Sequence, residues 1–247
     1  LKNIFREGKD FYSEIAIRTE GLQGVSSNKD APNYLGKVNK AARQKAKSYS
    51  LGVPYGLTGY KLQFEIGVDQ TTADMLVEKY LSAFPDLRRF MEQSKLEAKE
   101  QGWVRSETGR IRHLKRAKSI YNEFGDWILD SLQLWKEYHE SPPAYAKMKE
   151  LRKVYSNLLN NSINFKIQSL AASIVNMACI KMNQEFKRKG LKAIIVLQAH
   201  DEVVVHCPLA EATEVCYTMK KVMENNYKIS VPLVADPVVA TVYGETK

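Results

Sequence analysis

Asp201 and Glu202 are adjacent carboxylates between two apolar runs, 193–197 and 203–205. Both runs are short, β-branched and bounded by polar residues. That predicts two strands, and a hairpin with His200, Asp201 and Glu202 at its tip. A carboxylate loses solvation when buried, so a pair at the end of two buried strands needs a divalent cation, an Arg or Lys, or solvent. Hard oxygen ligands of this kind suit Mg²⁺. A solvated turn satisfies the same pattern.

A second set of residues suits phosphate. Lys37, Lys40, Arg43 and Lys47 recur at spacings of three, three and four, so a helix puts them on one side. Arg grips a phosphate with a planar fork, whereas Lys acts as a point charge; Arg43 and Lys47, one turn apart, could hold two oxygens of one phosphate chain. Tyr55 extends roughly the same face. A solvated basic helix face is the alternative. Further along, Asn164 and Gln168 are one helical turn apart, and paired amides can meet base edges or minor-groove acceptors. Ordinary helix polarity also accounts for them. Arg105, Arg110, Arg112, His113, Lys115, Arg116 and Lys118 surround a turn at Thr108-Gly109, a pattern that often meets phosphates but also fits a solvated hairpin.

These residues need elements to position them. The apolar spacing predicts helices over about 1–22, broken near Gly8 and restarted by Asp10, and then over 38–51, 57–67 and 69–101. A long helix is expected over 151–189 and another over 211–227, with strands at 231–235 and 238–242. The aromatic-rich 119–150 segment reads as an insertion with local packing.

Thirty-seven Lys and Arg against 28 Asp and Glu leave a net charge of +9, which fits a polyanionic partner, nucleic acid before membrane. The three cysteines have no metal-type spacing and fit a reducing compartment. No signal peptide is visible, and no uninterrupted apolar run reaches the about 18 residues of a membrane span.

Taken in order, the patterns resemble the family A DNA polymerases. The run Arg43-x3-Lys47-x3-Leu51-x3-Tyr55-Gly56 looks like motif B, the nucleotide-receiving fingers helix. Thr108-Gly109-Arg110 resembles the Gly-Arg hairpin that follows the fingers. Asn164-x3-Gln168 with Ala171-Ala172 resembles the helix facing template and primer, and Gln198-Ala199-His200-Asp201-Glu202 resembles motif C. Gly8-Lys9-Asp10 matches the segment after motif A. Almost the whole chain is covered, apart from about 115–150.

The resemblance implies an α+β right-hand fold. Mainly helical fingers would span 1–160, with the insertion at about 115–150. The C-terminal part of an antiparallel-sheet palm would span 161–247. It implies template-directed DNA synthesis, with primer-template DNA and deoxynucleoside triphosphates as partners. Arg43 and Lys47 would bind the triphosphate, and Lys47 would protonate the leaving pyrophosphate. Leu51 and Tyr55 would meet the nucleotide. Asn164, Gln168, His200 and Arg110 would contact DNA. Asp201, supported by Glu202, would hold Mg²⁺. The expected location is the cytoplasm of a bacterium or of a phage-infected host cell, and a phage replicase fits the departures better than a repair enzyme.

Those departures are specific. Leu51 stands where the family usually has Phe or Tyr, which predicts altered sugar discrimination. Tyr12 replaces a phosphate-contacting His, and Asn160 replaces an Arg. Motif A, with its metal-binding Asp, is expected just upstream of residue 1, as are the thumb and any 3′–5′ exonuclease domain. A two-metal site would then need a companion polypeptide, as in a split polymerase or a longer parent chain. A non-catalytic DNA-binding or assembly subunit retaining the fold is the alternative. An enzyme acting on RNA is another, because the sugar gate lies in motif A.

Overall fold

The computed structural model describes residues 2–246. The chain divides into two compact units, Asn3–Ile167 and the residues from Gln168 onward.

The first unit begins with α1 (Lys2–Arg6) and α2 (Phe11–Glu20). Asp10 caps α2 by accepting from the Ser13 amide at 3.0 Å, satisfying one of the orphan donors of the first turn. The helix expected over 38–51 is two helices, α3 (Leu35–Val38) and α4 (Lys40–Gly52). Asn39 divides them: its backbone leaves the helical region, and its side chain caps α4 through the Ala42 amide. The helices α5 (Gly59–Ile66) and α6 (Gln70–Ala83) follow, α6 capped by Asp69. Ile15, Leu35, Tyr49, Leu62, Leu76 and Tyr80 form the core beneath α4. The apolar spacing of these helices places those residues on inward faces, at roughly 1.5–3 kcal/mol for each fully buried large side chain.

The rest of this unit contains α7 (Pro85–Glu100), β1 (Trp103–Arg105), β2 (Ile111–His113), α8 (Lys115–Phe124), α9 (Ser131–Tyr138) and the start of α10 (Pro142–Arg188). Strands β1 and β2 pair antiparallel, Val104 facing Arg112. The long helix therefore starts at Pro142 rather than near 151, because Pro is favourable in the first turn, where its missing N–H has no acceptor to lose. Nor is the 115–150 segment a separate packing island. Leu114, Ala117, Ile120, Ile128 and Leu134 share one core with Ala98, Val104, Tyr155 and Leu159.

The second unit contains the remainder of α10, β3 (Ile194–Ala199), β4 (Glu202–His206) and α11 (Ala212–Asn225). Ala178, Met182, Phe186, Ala193 and Val215 form its core. The expected hairpin forms, β3 and β4 pairing antiparallel with Ala199 opposite Glu202 and a register shift between Ile195 and Leu197. Its strands are not buried on both faces: Ile194 is 63% exposed and Val196 58%. Only Ile195, Val203 and Val205 pack against the core.

The strands expected at 231–235 and 238–242 do not form. Pro232 and Pro237 lack ladder donors. Two side chains of α11 also take the Ala235 backbone: Lys220 donates to its carbonyl at 2.6 Å, and Glu224 accepts from its amide at 3.1 Å.

One 18-residue window of α10 reaches a mean hydropathy of 1.3, enough by length and composition to cross a membrane. The window is 28% buried, and α10 as a whole contributes Tyr155, Leu159 and Ile163 to the buried residues of the first unit and Ala178, Met182 and Phe186 to those of the second.

Candidate active site

Helix α4 buries Ala42, Ala46, Tyr49 and Ser50. That fixes its rotation and brings Arg43, Lys47 and Leu51 to the other side, Leu51 45% exposed. Tyr55 follows in a short 3₁₀ turn, Val53–Tyr55, and is 40% exposed.

Arg43 already has a partner. Its Nε and Nη2 each donate to one oxygen of Asp10 at 2.8 Å, a bidentate fork between α4 and the N-terminus of α2. Burial alone would raise the Asp10 carboxyl, but hydrogen bonds from Arg43 and Ser13 outweigh it and bring the pKa down to about 2. The same hydrogen bond to Asp10 raises the Arg43 guanidinium above its ordinary value. A guanidinium carries five N–H donors, so a fork that uses two leaves donors for a second acceptor. The Tyr12 ring lies beside both cations, its centroid 5.3 Å from Arg43 Cζ and 5.9 Å from Lys47 Nζ. These are cation–π distances. Arg43 is therefore held from two sides, while Lys47 forms no ion pair among the described residues.

At the end of this segment Gly56 adopts φ +89°, and a Cβ there would fall 2.2 Å from Asn160 Nδ2. The residue in the expected Arg position thus packs against the glycine of the Tyr55-Gly56 pair. Arg110 is exposed at the β1–β2 turn, where Gly109 takes φ 86° and donates to Ser106 O at 2.9 Å. On α10, Asn164 Oδ1 is buried without a hydrogen-bond partner, and Gln168, one turn on, is exposed.

In the second unit Ala199 pairs with Glu202, so His200 and Asp201 form a two-residue turn. His200 has φ 55° and is the one non-glycine residue with positive φ among the described residues. Asp201 is exposed and forms no ion pair among the described residues. Glu202 accepts from the Tyr243 hydroxyl at 3.3 Å. Gln198 Nε2 donates to Asn176 Oδ1 at 2.9 Å, tying β3 to α10 below the turn. Two carboxylates at one tip, one exposed, match the oxygen donors that Mg²⁺ takes alongside water and phosphate. Among the described residues, no three His, Cys, Asp or Glu side chains gather as around a metal.

The structure thus groups Arg43, Lys47, Leu51 and Tyr55 on one segment of the first unit, and His200, Asp201 and Glu202 on one turn of the second. Arg110 stands on its own hairpin, and Asn164 and Gln168 on α10. Sequence reasoning missed Asp10 as the partner of Arg43 and Asn176 as the partner of Gln198. Both partners are distant in sequence, and the visible signals, an N-cap and a helix polarity, pointed to local roles.

The comparisons with known proteins agree on one family. The family model described as DNA polymerase family A matches residues 1–245. The thermostable DNA polymerase I of Thermus filiformis is 28% identical over 233 residues, covering 94% of this chain and 23% of that protein. DNA polymerase I of Streptococcus pneumoniae is 25% identical over 236 residues, covering 96% of this chain and 22% of its own length. A solved structure, the POL domain of Pol1 from M. smegmatis in complex with DNA primer-template and dNTP, matches with a TM-score of 0.71 and 26% identity, over 94% of this chain and 34% of that one. This chain therefore spans less than a quarter of the length of these two curated relatives.

Proposed function

We propose, since this chain belongs to DNA polymerase family A, that it is the fingers and C-terminal palm of an enzyme that adds deoxynucleotides to a primer 3′ hydroxyl. Residues 1–160 would be the fingers, with the insertion at about 115–150, and 161–247 the palm. The observation that carries this reading is the pair Arg43 and Lys47 on one face of α4 beside a shared aromatic ring, in a chain matched to the family over 1–245.

Arg43, held by Asp10, presents its remaining donors to the triphosphate. Lys47 supplies a second positive charge and protonates the leaving pyrophosphate oxygen, which lowers the barrier by neutralising charge as it develops. Leu51 and Tyr55 meet the sugar and base of the incoming nucleotide. Asn164 and Gln168 meet minor-groove acceptors, His200 the primer terminus and Arg110 the DNA backbone. Asp201, with Glu202 in support, would hold Mg²⁺, which when bound supplies charge stabilisation for in-line phosphoryl transfer. A companion polypeptide or upstream segment carrying motif A and the thumb would supply the other carboxylate.

The test is primer extension by this chain alone and mixed with such an upstream polypeptide. The expected result is extension on mixing, lost in Asp201→Ala. Extension unaffected by Asp201→Ala would overturn the metal assignment and leave a non-catalytic DNA-binding subunit.

A further inference from the structure

The β1–β2 hairpin and α8 together carry seven cationic or titratable basic residues over 105–118: Arg105, Arg110, Arg112, His113, Lys115, Arg116 and Lys118. The one acidic residue in that stretch is Glu107. None of the seven forms an ion pair among the described residues, and all are exposed. Elsewhere on this unit exposed cations do find carboxylates, as Arg89 does with Asp86 at 3.2 Å.

The fold joins the hairpin to α8, and the register sets Arg105 and Arg112 on opposite faces of the hairpin, since Arg112 pairs with Val104 and Arg105 with Ile111. Leu114, 3% exposed, is the joint between β2 and α8, and its amide donates to the Gly102 carbonyl at 2.6 Å. Gly102 lies directly against α8: a Cβ there would come within 3.3 Å of Lys118 Cβ and 3.5 Å of Lys115 Cα. The root of the hairpin and the first turn of α8 are therefore in contact. Ala117 and Ile120 anchor the opposite face of α8 in the core, which turns Lys115 and Lys118, three apart, outward together. Leu114 offers α8 no side-chain cap, so the first-turn amides add positive potential beside Lys115 and Arg116. On the hairpin, Arg105 lies over Trp103 and Arg112 over Phe165, at 5.5 and 6.0 Å, and an aromatic ring attracts the cation without neutralising it.

We propose that α8, through Lys115, Arg116 and Lys118, adds to the basic hairpin a surface for a nucleic-acid sugar-phosphate backbone. The inference rests on the reading of this chain as a DNA-handling protein. A compact triphosphate calls for cations converging on one point. Here they are spread along a three-residue strand and the first turn of a helix, which matches a row of phosphates. The surface is sequence-blind, because it offers charge and donors to backbone oxygens and no groove-reading element.

The test is equilibrium binding of the full chain to a short primer-template duplex over a salt series. The variants are K115A/R116A/K118A, its charge-reversed form K115E/R116E/K118E, and R105A/R112A as the hairpin counterpart. Circular dichroism confirms folding, and the alanine form serves if charge reversal does not fold. Each lost phosphate contact lowers the slope of log K against log salt by about 0.9. The alanine triple variant is therefore expected to flatten the slope by about 2 to 3, and to weaken binding at low salt at least tenfold. A triple variant that binds like the parent, while R105A/R112A weakens binding, overturns the role of α8 and leaves the DNA-binding reading intact. No salt-dependent binding by the parent chain overturns both.

Discussion

Asp10 serves two structures at once, the N-terminus of α2 and the guanidinium of Arg43. Asp10→Ala removes both. It is expected to cost about 2–4 kcal/mol, with about 1 from the cap and the rest from leaving Arg43 without its counter-charge. Asp10→Asn keeps the cap, and urea unfolding should place it between the parent and Ala. The sign of the pH dependence follows from the lowered carboxyl. Its contribution is complete above the ordinary value of 3.8 and is lost as pH falls toward about 2. Acid titration of stability in Asp10→Asn should lack that component. Two further substitutions separate chemistry from folding. Asp201 is exposed, so Asp201→Ala should change stability by no more than about 0.5 kcal/mol while abolishing extension. Leu51→Tyr should raise dideoxynucleotide incorporation relative to the parent, and equal incorporation by the two would remove Leu51 from sugar discrimination. At this scale the residue types were readable in the sequence and their partners were not. Asp10 and Arg43 are 33 positions apart, and no local periodicity connects them.

At the scale of elements, the contact between Gly56 and Asn160 joins the end of the α4 segment to α10. Gly56→Ala places a side chain in a left-handed backbone and against an amide at 2.2 Å. The expected loss is about 2–3 kcal/mol, combining about 1–2 for the backbone with displacement of Asn160. The double variant Gly56→Ala/Asn160→Ala should recover the steric part and not the backbone part in thermal melts. Helices were the most legible elements. Asp10, Asn39 and Asp69 each accept from the amide three residues on, a local signal, though at Asn39 the sequence pattern reads through it as continuous helix. The terminal strands were misread for the opposite reason. A strand needs a partner from elsewhere in the chain, and Val231–Ala235 has the right composition but gives its Ala235 backbone to Lys220 and Glu224. The hairpin at 194–206 was legible because its partner strand is its neighbour in sequence.

At the scale of the whole molecule, charge and exposed apolar surface pull in opposite directions. A net charge of +9 favours solubility and polyanion binding. In the second unit, Ile194, Val196, Val234, Val238 and Val239 are each more than half exposed, and exposed apolar side chains promote association. Ile194→Lys is therefore expected to reduce concentration-dependent light scattering while changing stability by no more than about 0.5 kcal/mol. The resemblance to a family was legible from four short patterns in order. The division into two units was not, because it falls inside a helix between Ile167 and Gln168, where the local sequence has no turn or breaker to mark it. This has a consequence for limited proteolysis. A protease needs several residues of extended backbone, and domain boundaries are usually cut because they lie in exposed loops. Here the boundary is part of α10, whose amides are already hydrogen-bonded within the helix. Brief digestion should therefore nick the irregular stretch after α11 or the loop at 23–34, and the large fragment should still carry residues of both units on one piece of polypeptide.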